Sequence, residues 1–192
     1  MDITDVIANR RSIRRYTDRS VDKTLLEELI RAARMAPSSM NTQPWHFTVT
    51  TGAARDQVVE VVSRSTVYLQ DVLTTMDAEH RAMAERFVCD LGGAPVIILM
   101  SVPRGEEEFK KLNTLLAAGG AIQNLQLKAT DLGLGACNIT FAFWVREDLA
   151  KAVDLPEGFE VASILVVGYP DEQPSPPGRH VNDADFLGFE GA

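Results

Sequence analysis

Four arginines and one serine are concentrated in a short segment near the start of the chain. The segment reads Arg10-Arg11-Ser12-Ile13-Arg14-Arg15-Tyr16. Through Arg19 the chain holds five arginines against three acids, a net charge of +2, whereas the whole chain carries −8. A guanidinium is a planar fork of donors that stays charged, so arginines clustered beside a hydroxyl suit a phosphate. A solvated basic face at the end of a helix is the alternative for a charge run taken alone.

A second polar segment lies between two prolines. It reads Pro37-Ser38-Ser39-Met40-Asn41-Thr42-Gln43-Pro44. Its hydroxyl and amide groups carry no charge, so they suit the edge of a neutral polar ring or a polyol. Loops rich in serine and asparagine are also common as plain connections. Taken together, the two segments offer an anion site and a neutral polar site.

The composition indicates one globular domain. The chain has 192 residues, of which 45% are hydrophobic and 24% charged, enough to bury a sizeable core. No apolar run approaches the roughly 20 residues that span a bilayer, and the start is acidic where a secretion signal would be basic. We therefore expect a cytoplasmic protein without a membrane partner. The acidic balance also argues against nucleic acid as the main partner.

Cysteine and histidine are too scattered to predict a metal site or a disulfide framework. The two cysteines, Cys89 and Cys137, lie far apart in sequence, and His46, His80 and His180 match no metal-binding spacing. Cys137 is expected to be a small packed residue rather than a nucleophile, because no basic residue lies close to it in sequence. We therefore expect no metal ion.

The remaining pattern mixes helices and strands along the chain. Helices are predicted over 2–9, from Asp22 as N-cap to Pro37, over much of 54–90, and over 109–130 and 145–153. Strands are predicted over 45–50, 94–102 and 159–168, with a strand and loop over 136–143. Small residues at 117–121 allow another backbone to approach closely, so the long helix is expected to be buried. An α+β domain with one central sheet fits this order.

The two polar segments, in this order and at this spacing, closely resemble the nitroreductase family of FMN-dependent oxidoreductases. The helix from 118 leading into Gly133-Leu134-Gly135, the turn at 137–143 and the strand at 164–170 also resemble the family. The resemblance implies a mostly antiparallel central sheet flanked by helices in an intertwined homodimer. Residues 1–192 would form a single domain whose extended tail, 171–192, packs on the partner subunit.

The resemblance also assigns roles to the arginine segment. Arg10, Arg11 and Ser12 are expected to hold the FMN phosphate, and Arg14 to lie toward the ribityl chain or the pyrimidine edge of the flavin. A guanidinium there would favour reduced flavin, which tends to carry negative charge near N1 and O2. Arg15 is expected to be solvated.

Further cofactor contacts are expected from three other parts of the chain. The loop that characteristically comes from the other subunit supplies Pro37, Ser38, Ser39, Met40, Asn41 and Gln43. Backbone amides near flavin N5 are expected at Asn138, Ile139 and Thr140, and Arg179 is the candidate for a basic residue that reaches the phosphate from the tail. Trp45 and Trp144 are expected to be core or interface aromatics.

The implied activity is an FMN-dependent oxidoreductase. Hydride would pass from NADH or NADPH to flavin N5 and then to a nitroaromatic, quinone or similar acceptor in a ping-pong scheme, so no side chain is expected to be catalytic. A reductive dehalogenase or flavin-modifying enzyme of the same fold is one alternative. A flavin or nucleotide carrier or sensor without turnover is another, and a third is that the arginines form only a protein interface.

Overall fold

The computed structural model describes residues 2–105, 107–180, 184–185 and 187–188. Within these ranges the helices are α1 (Ile3–Asn9), α2 (Lys23–Arg34), α3 (Gly52–Ser63), α4 (Gln70–Thr74), α5 (Ala78–Asp90), α6 (Glu108–Asp131) and α7 (Arg146–Ala152). The strands are β1 (His46–Thr50), β2 (Val96–Pro103), β3 (Gly135–Ile139) and β4 (Phe159–Gly168). Part of the predicted tail, at 181–183, 186 and 189–192, lies outside the described residues.

The four strands form one antiparallel sheet in the order β1-β2-β4-β3. The register pairs Thr48 with Leu99, Leu99 with Ile164, and Ile164 with Ile139. The central strands β2 and β4 are buried on both faces over most of their length, as their continuous apolar sequences predict. The predicted α+β fold with a central antiparallel sheet flanked by helices is confirmed.

Helices cover both faces of the sheet. On one face, Leu29 of α2 and Leu125 of α6 pack against Ile98 of β2. On the other face, Val58 of α3 and Leu149 of α7 belong to the cluster that also contains the inward residues of β2 and β4. Because successive side chains of a strand point to opposite faces, the alternate residues of β2 and β4 serve the two clusters in turn.

Helix α6 follows its predicted bounds, but the single chain leaves much of it uncovered. Gly120 allows the end of α2 to approach, since a Cβ there would lie 3.5 Å from the Ala36 Cβ. Gly119 faces open space, and Leu116 is 66% exposed. The expectation of a buried helix therefore holds for one side only, because its other side has no covering element among the described residues.

The segment between β1 and β2 is helical, as predicted, and consists of α3, α4 and α5. Arg55 ties this layer to the sheet, since its side chain donates from Nε to the Ala94 carbonyl at 2.9 Å and from Nη2 to the Asp90 carbonyl at 2.9 Å. In the described ranges, no helix has the length and apolar character that crossing a membrane requires.

Candidate active site

The arginine segment lies along the outer edge of the sheet. Ser12 faces Ala136 of β3 in a parallel bridge, and the Ile13 N–H donates to the Ala136 carbonyl at 3.2 Å. The segment then continues beside Tyr169, which follows the end of β4, and the Thr17 N–H donates to the Tyr169 carbonyl at 2.9 Å. Backbone bonds to two strands thus fix the path of the segment.

Two buried side chains anchor the segment from below. Ile13 and Tyr16 both belong to the core, and the Tyr16 hydroxyl lies 2.5 Å from the Ile13 carbonyl oxygen and 3.2 Å from that of Val166. Burial raises the pKa of Tyr16 well above its usual value, because an apolar surrounding disfavours the phenolate. The hydroxyl therefore stays a proton donor to these buried carbonyls.

Two arginines of the segment form no ion pair within the described part of the chain. Among the described residues neither Arg10 nor Arg14 takes part in an ion pair, and the Arg14 Nη1 makes only a long contact of 3.5 Å with the Ser12 carbonyl oxygen. Arg15, which was expected to be solvated, is exposed, and its Nη2 donates to the Asp171 carbonyl at 2.7 Å. Arg10 and Arg14 are thus the cations available to an anion.

Arg11 instead reaches back to the helix that precedes it. Its Nη1 donates to the Ala8 and Arg10 carbonyls, each at 2.8 Å. A cation at the C-terminal end of a helix is favourable because the last carbonyls lack partners within the helix. Arg11 Nε is buried and has no hydrogen-bond partner. Its assignment to the phosphate stays a prediction, and its observed contacts hold the end of α1.

Cys137 of β3 lies directly beneath these charges. Burial raises the pKa of the Cys137 thiol, although the Arg14 charge and a hydrogen bond with Ser12 act in the opposite direction. The thiol is therefore a protonated, packed group at neutral pH, in line with the expectation from the sequence. The Cys137 Sγ lies 3.7 Å from the Asn138 carbonyl oxygen.

The free edge of β3 continues past Ser12 and offers backbone donors. Because the Ala136 carbonyl points outward to Ile13 and peptide directions alternate along a strand, the Asn138 N–H points to the same outer edge and the Ile139 N–H points toward β4. Beyond Ser12 and Ile13, the described ranges contain no strand that pairs with this edge. Of the three predicted amides, Asn138 thus faces the site, Ile139 faces the sheet, and Thr140 follows the strand.

The side chain of Asn138 is held inside the sheet. The Ser163 Oγ lies 2.5 Å from the Asn138 Oδ1 and 2.9 Å from the Ile139 carbonyl oxygen. The Ser163 hydroxyl donates its proton to the nearer acceptor, the Asn138 Oδ1, and this contact fixes the Asn138 side chain against β4.

The proline-bounded loop adopts a backbone that few residues accept. Met40, Asn41 and Gln43 have φ values of 50°, 55° and 46°, in a region that costs a residue with a side chain about 1–2 kcal/mol. Ser38 stabilises the loop, because its Oγ accepts from the Gln43 N–H and its carbonyl from the Asn41 N–H, both at 3.0 Å. Met40 is 96% exposed. Such conformations are concentrated at functional sites.

The two polar segments lie at opposite edges of the sheet. The loop leads directly into β1, whereas the arginine segment runs outside β3. Strand β1 and the arginine segment are four interstrand spacings apart, roughly 19 Å. Within the described residues no hydrogen bond or ion pair joins the two segments. One chain therefore carries two separated halves, Pro37–Gln43 and Arg10–Tyr16.

The start of the tail contributes a residue that the sequence analysis missed. Glu172 Oε1 accepts from the Arg14 N–H at 2.5 Å. The available signal was the pair of acids, Asp171 and Glu172, that follows Tyr169-Pro170 just after the last strand. Arg179, by contrast, is exposed and has no hydrogen bond or ion pair to the arginine segment in the described part of the chain, so its predicted role stays a prediction.

A cavity of about 720 Å³ lies between the arginine segment and helices α4 and α5. Apolar side chains form much of its wall, among them Leu69, Val72, Met76, Met83, Phe87 and Phe141. Phe87 and Phe141 meet edge to face with ring centroids 6.5 Å apart. Arg14 and Glu172 line the same cavity, so an apolar space opens next to the charged segment.

These donors fit a phosphate-bearing cofactor with a planar polar ring. Arg10, Arg14 and Ser12 supply charge-assisted and neutral donors for an anion, and the Asn138 amide supplies a fixed donor beside them. Clusters of three or more His, Cys, Asp or Glu side chains that could hold a metal ion are absent from the described ranges.

Comparison with known proteins agrees with this geometry. The model of the nitroreductase family matches residues 7–169. A 4-nitrobenzoate reductase of Nocardioides sp. strain LMS-CY is 27% identical over 88% of this chain and 80% of its own length. The structure of the FMN- and NADPH-dependent nitroreductase NfnB from Sphigopyxis sp. strain HMH shares the fold with a TM-score of 0.82 at 22% identity, over 98% of this chain and 100% of that chain.

A Desulfovibrio desulfuricans protein solved in complex with FMN has a TM-score of 0.74 and 27% identity, over 97% of this chain and 98% of that chain. The family match spans all four strands together with the arginine segment and the proline-bounded loop. The family predicted from the sequence is therefore confirmed. This chain belongs to the nitroreductase family.

Proposed function

We propose that the protein is an FMN-dependent oxidoreductase that takes hydride from NADH or NADPH and reduces a nitroaromatic, quinone or similar small acceptor. The observation that carries the proposal is that Arg10 and Arg14, two residues to either side of Ser12, take part in no ion pair among the described residues. Like charges on one short segment repel each other, and a bound anion relieves that repulsion.

The residues of this chain would hold and orient the cofactor. Arg10 and Ser12 would bind the phosphate, Arg14 would face the ribityl chain or the pyrimidine edge, and the outward Asn138 amide would donate to the ring. FMN, when bound, supplies the redox chemistry, accepting hydride from the nicotinamide and delivering it to the acceptor in separate half-reactions. The apolar cavity beside Arg14 would exclude water from that exchange.

The proposal includes a homodimer in which each site is shared. The arginine segment and the Pro37–Gln43 loop lie at opposite edges of one chain, so a second copy is the simplest way to bring them to one cofactor. A face formed by α1 and α6 is suited to that contact, because its apolar side chains are exposed in the single chain. These side chains are Ile3, Ile7, Phe109, Leu112, Leu115 and Leu116.

The absorbance spectrum of the purified protein tests the proposal. We expect flavin bands after FMN is added, their bleaching by anaerobic NADH or NADPH, and their return when 4-nitrobenzoate or a quinone is supplied. Bands that neither nicotinamide bleaches would instead indicate a carrier or sensor. Bleaching that no such acceptor reverses would favour a specialised reaction of the same fold, and the absence of any bound flavin would refute the proposal.

A double variant tests the phosphate assignment. Arg10→Ala combined with Ser12→Ala removes one unpaired cation and the hydroxyl, so FMN affinity should fall by about a hundredfold or more, because each charge-assisted bond contributes roughly tenfold or more. Arg15→Ala is the matched control, since it removes an arginine of the same segment that bonds to the tail. Equal FMN stoichiometry in the double variant and the control would contradict the assignment.

A further inference from the structure

The carboxylate of Glu172 is the only acid that bonds to the arginine segment among the described residues. Glu172 follows the end of β4, is half-buried, and accepts the Arg14 N–H at 2.5 Å across 158 residues of sequence. A hydrogen bond to a charged acceptor is about twice as strong as a neutral one. The contact therefore ties the Arg14 peptide firmly to the last segment of the fold.

Gly92 lies against the carbonyl side of Arg14. A Cβ built on Gly92 would lie 1.9 Å from the Arg14 carbonyl oxygen, and the Tyr16 N–H donates to the Gly92 carbonyl at 3.1 Å. Glu172 accepts the Arg14 N–H, and the absence of a side chain at Gly92 leaves room for the Arg14 carbonyl. These contacts restrict the backbone from which the Arg14 side chain starts, which matters for a cation that must meet a developing charge.

The rest of the tail does not need the Glu172 side chain to stay in place. The Asp171 N–H donates to the Arg15 carbonyl at 2.9 Å, and Arg15 Nη2 donates to the Asp171 carbonyl at 2.7 Å. Tyr16 also pairs with Pro170 in an antiparallel bridge. Because these contacts involve other groups, a substitution at Glu172 should remove the acid without detaching the strand extension.

Glu172 and Arg14 also act on the same buried groups with opposite sign. The Glu172 charge contributes to raising the pKa of both Cys137 and Tyr16, while the Arg14 charge lowers both. The two residues line the same cavity. A negative charge at the cavity wall disfavours an electron-rich ligand, whereas the positive charge of Arg14 favours one.

We propose that Glu172 is a positioning residue that fixes Arg14 and balances its charge, so that it sets how strongly the site prefers reduced over oxidised FMN. This inference rests on the proposed FMN-dependent function. Glu172 has two separable effects. Its hydrogen bond orients Arg14, and its negative charge reduces the preference for reduced flavin that the Arg14 charge creates.

Three variants separate the two effects. Glu172→Gln keeps an oxygen that can accept from the Arg14 N–H but removes the charge. Glu172→Ala removes both. Asp171→Asn removes an equal charge from the neighbouring exposed residue without touching a hydrogen bond that the structure shows for that side chain. FMN affinity is measured from the quenching of flavin fluorescence, and the midpoint potential of bound FMN from an anaerobic titration with a reference dye.

With Glu172→Gln we expect a more positive midpoint potential, equivalent to about a two- to fivefold greater preference for reduced FMN, with little change in affinity for oxidised FMN. With Glu172→Ala we expect oxidised FMN to bind about tenfold more weakly. In the flavin-free protein, the Arg14 amide should also exchange its hydrogen faster in the alanine variant. Asp171 also lines the cavity but is exposed, so water screens its charge more strongly. Asp171→Asn should therefore leave FMN affinity and amide exchange unchanged and raise the midpoint potential less than Glu172→Gln does.

If both Glu172 variants match Asp171→Asn, the inference is overturned while the proposed function stands. If the wild type binds no FMN, the proposed function itself fails, and faster exchange at the Arg14 amide would still support the positioning contact. Thermal unfolding checks that each variant is folded, and should the alanine variant fail to fold, the potential of the glutamine variant alone decides.

Discussion

The arginine segment and the proline-bounded loop show two different ways of presenting polar groups. The arginine segment is held by backbone bonds to two strands and by the buried side chains of Ile13 and Tyr16. The loop is held mainly by Ser38, and its Met40 side chain is almost fully exposed. The arginine segment is therefore fixed by contacts within the chain, whereas the loop leaves the Met40 side chain exposed.

This difference teaches where the binding energy must originate. A preorganised segment can bind an anion without ordering further groups, because its conformational entropy was lost on folding. An exposed loop in a left-handed backbone gains partners only when something covers it. We therefore expect substitutions around the arginine segment to affect folding and binding together, and substitutions in the loop to affect binding alone.

The largest effect is expected at Gly92. An alanine Cβ would overlap the Arg14 carbonyl oxygen, which would lie 1.9 Å away, at a backbone with φ of 68°. Since both atoms belong to fixed backbone, we expect Gly92→Ala to destabilise the fold by about 4 kcal/mol or more, measured by chemical unfolding.

The matched control for this prediction is Gly52→Ala. Gly52 has a similar φ of 52° but nothing within 4 Å of its added Cβ, so it should lose only about 1 kcal/mol through backbone strain. If Gly92→Ala and Gly52→Ala lower the free energy of unfolding equally, the Arg14 backbone moves to accommodate the added Cβ. The arginine segment is then not rigidly held.

A second prediction concerns which chain supplies each half. One variant carries Arg10→Ala with Ser12→Ala, and the other carries Asn41→Gly with Gln43→Gly, where glycine removes each amide without straining the left-handed backbone. Each variant alone should bind FMN poorly. In a randomly mixed dimer preparation, about one quarter of the sites should be restored, because half of the dimers are mixed and each holds one intact site.

The measurement is FMN stoichiometry after the two variants are coexpressed or refolded together. The control is coexpression of each variant with itself, which regenerates no intact site. If the mixed sample recovers no sites, the arginine segment and the Pro37–Gln43 loop act from the same chain. The loop would then not depend on a second copy for its partners.

The smallest effect is expected at Tyr16. Tyr16→Phe removes the hydroxyl that reaches the Ile13 and Val166 carbonyls, so stability at neutral pH should fall by about 1–2 kcal/mol. Burial holds the pKa of Tyr16 well above its usual value of 10.0. The unfolded chain therefore releases this proton first as the pH rises, and the wild type should lose stability above about pH 10.

Unfolding in urea at pH 8 measures the loss of stability, and unfolding above pH 10 measures how stability falls with pH. In Tyr16→Phe one proton fewer should be released on unfolding above pH 10, so stability should fall less steeply. Tyr68→Phe serves as the control, because Tyr68 is exposed and should change neither value. An unchanged pH dependence in Tyr16→Phe would show that the buried phenol does not contribute to the alkaline loss.

The fold was predictable because its signals are local. The buried strands β2 and β4 are continuous apolar runs, and α2 starts after Asp22 and ends before Pro37, as the sequence indicates. The N-cap position itself was correct, although the Asp22 side chain makes no capping bond. Residue type and spacing made the arginine segment a candidate anion site, with a solvated basic face as the alternative. The resemblance to the nitroreductase family favoured the phosphate, and this assignment stays a prediction.

The parts that could not be predicted depend on contacts between distant segments. No pattern near Arg11 shows that its guanidinium turns back to α1, since that depends on how the helix end and β3 are placed. The contact between Glu172 and the Arg14 peptide joins opposite ends of the sequence. The exposure of the first half of α6 was missed because an apolar, glycine-containing helix has the same pattern whether its cover comes from its own chain or from another.

The partners of the arginine segment have a consequence for the order of events during synthesis. The backbone groups that hold it come from Ala136, Tyr169 and Asp171, and the acid from Glu172. Translation delivers residues 10–17 first and these partners last, and closing so long a loop is slow. The nascent chain therefore carries this segment without its partners until almost the whole domain has been synthesised, so the segment reaches its final position only late in folding.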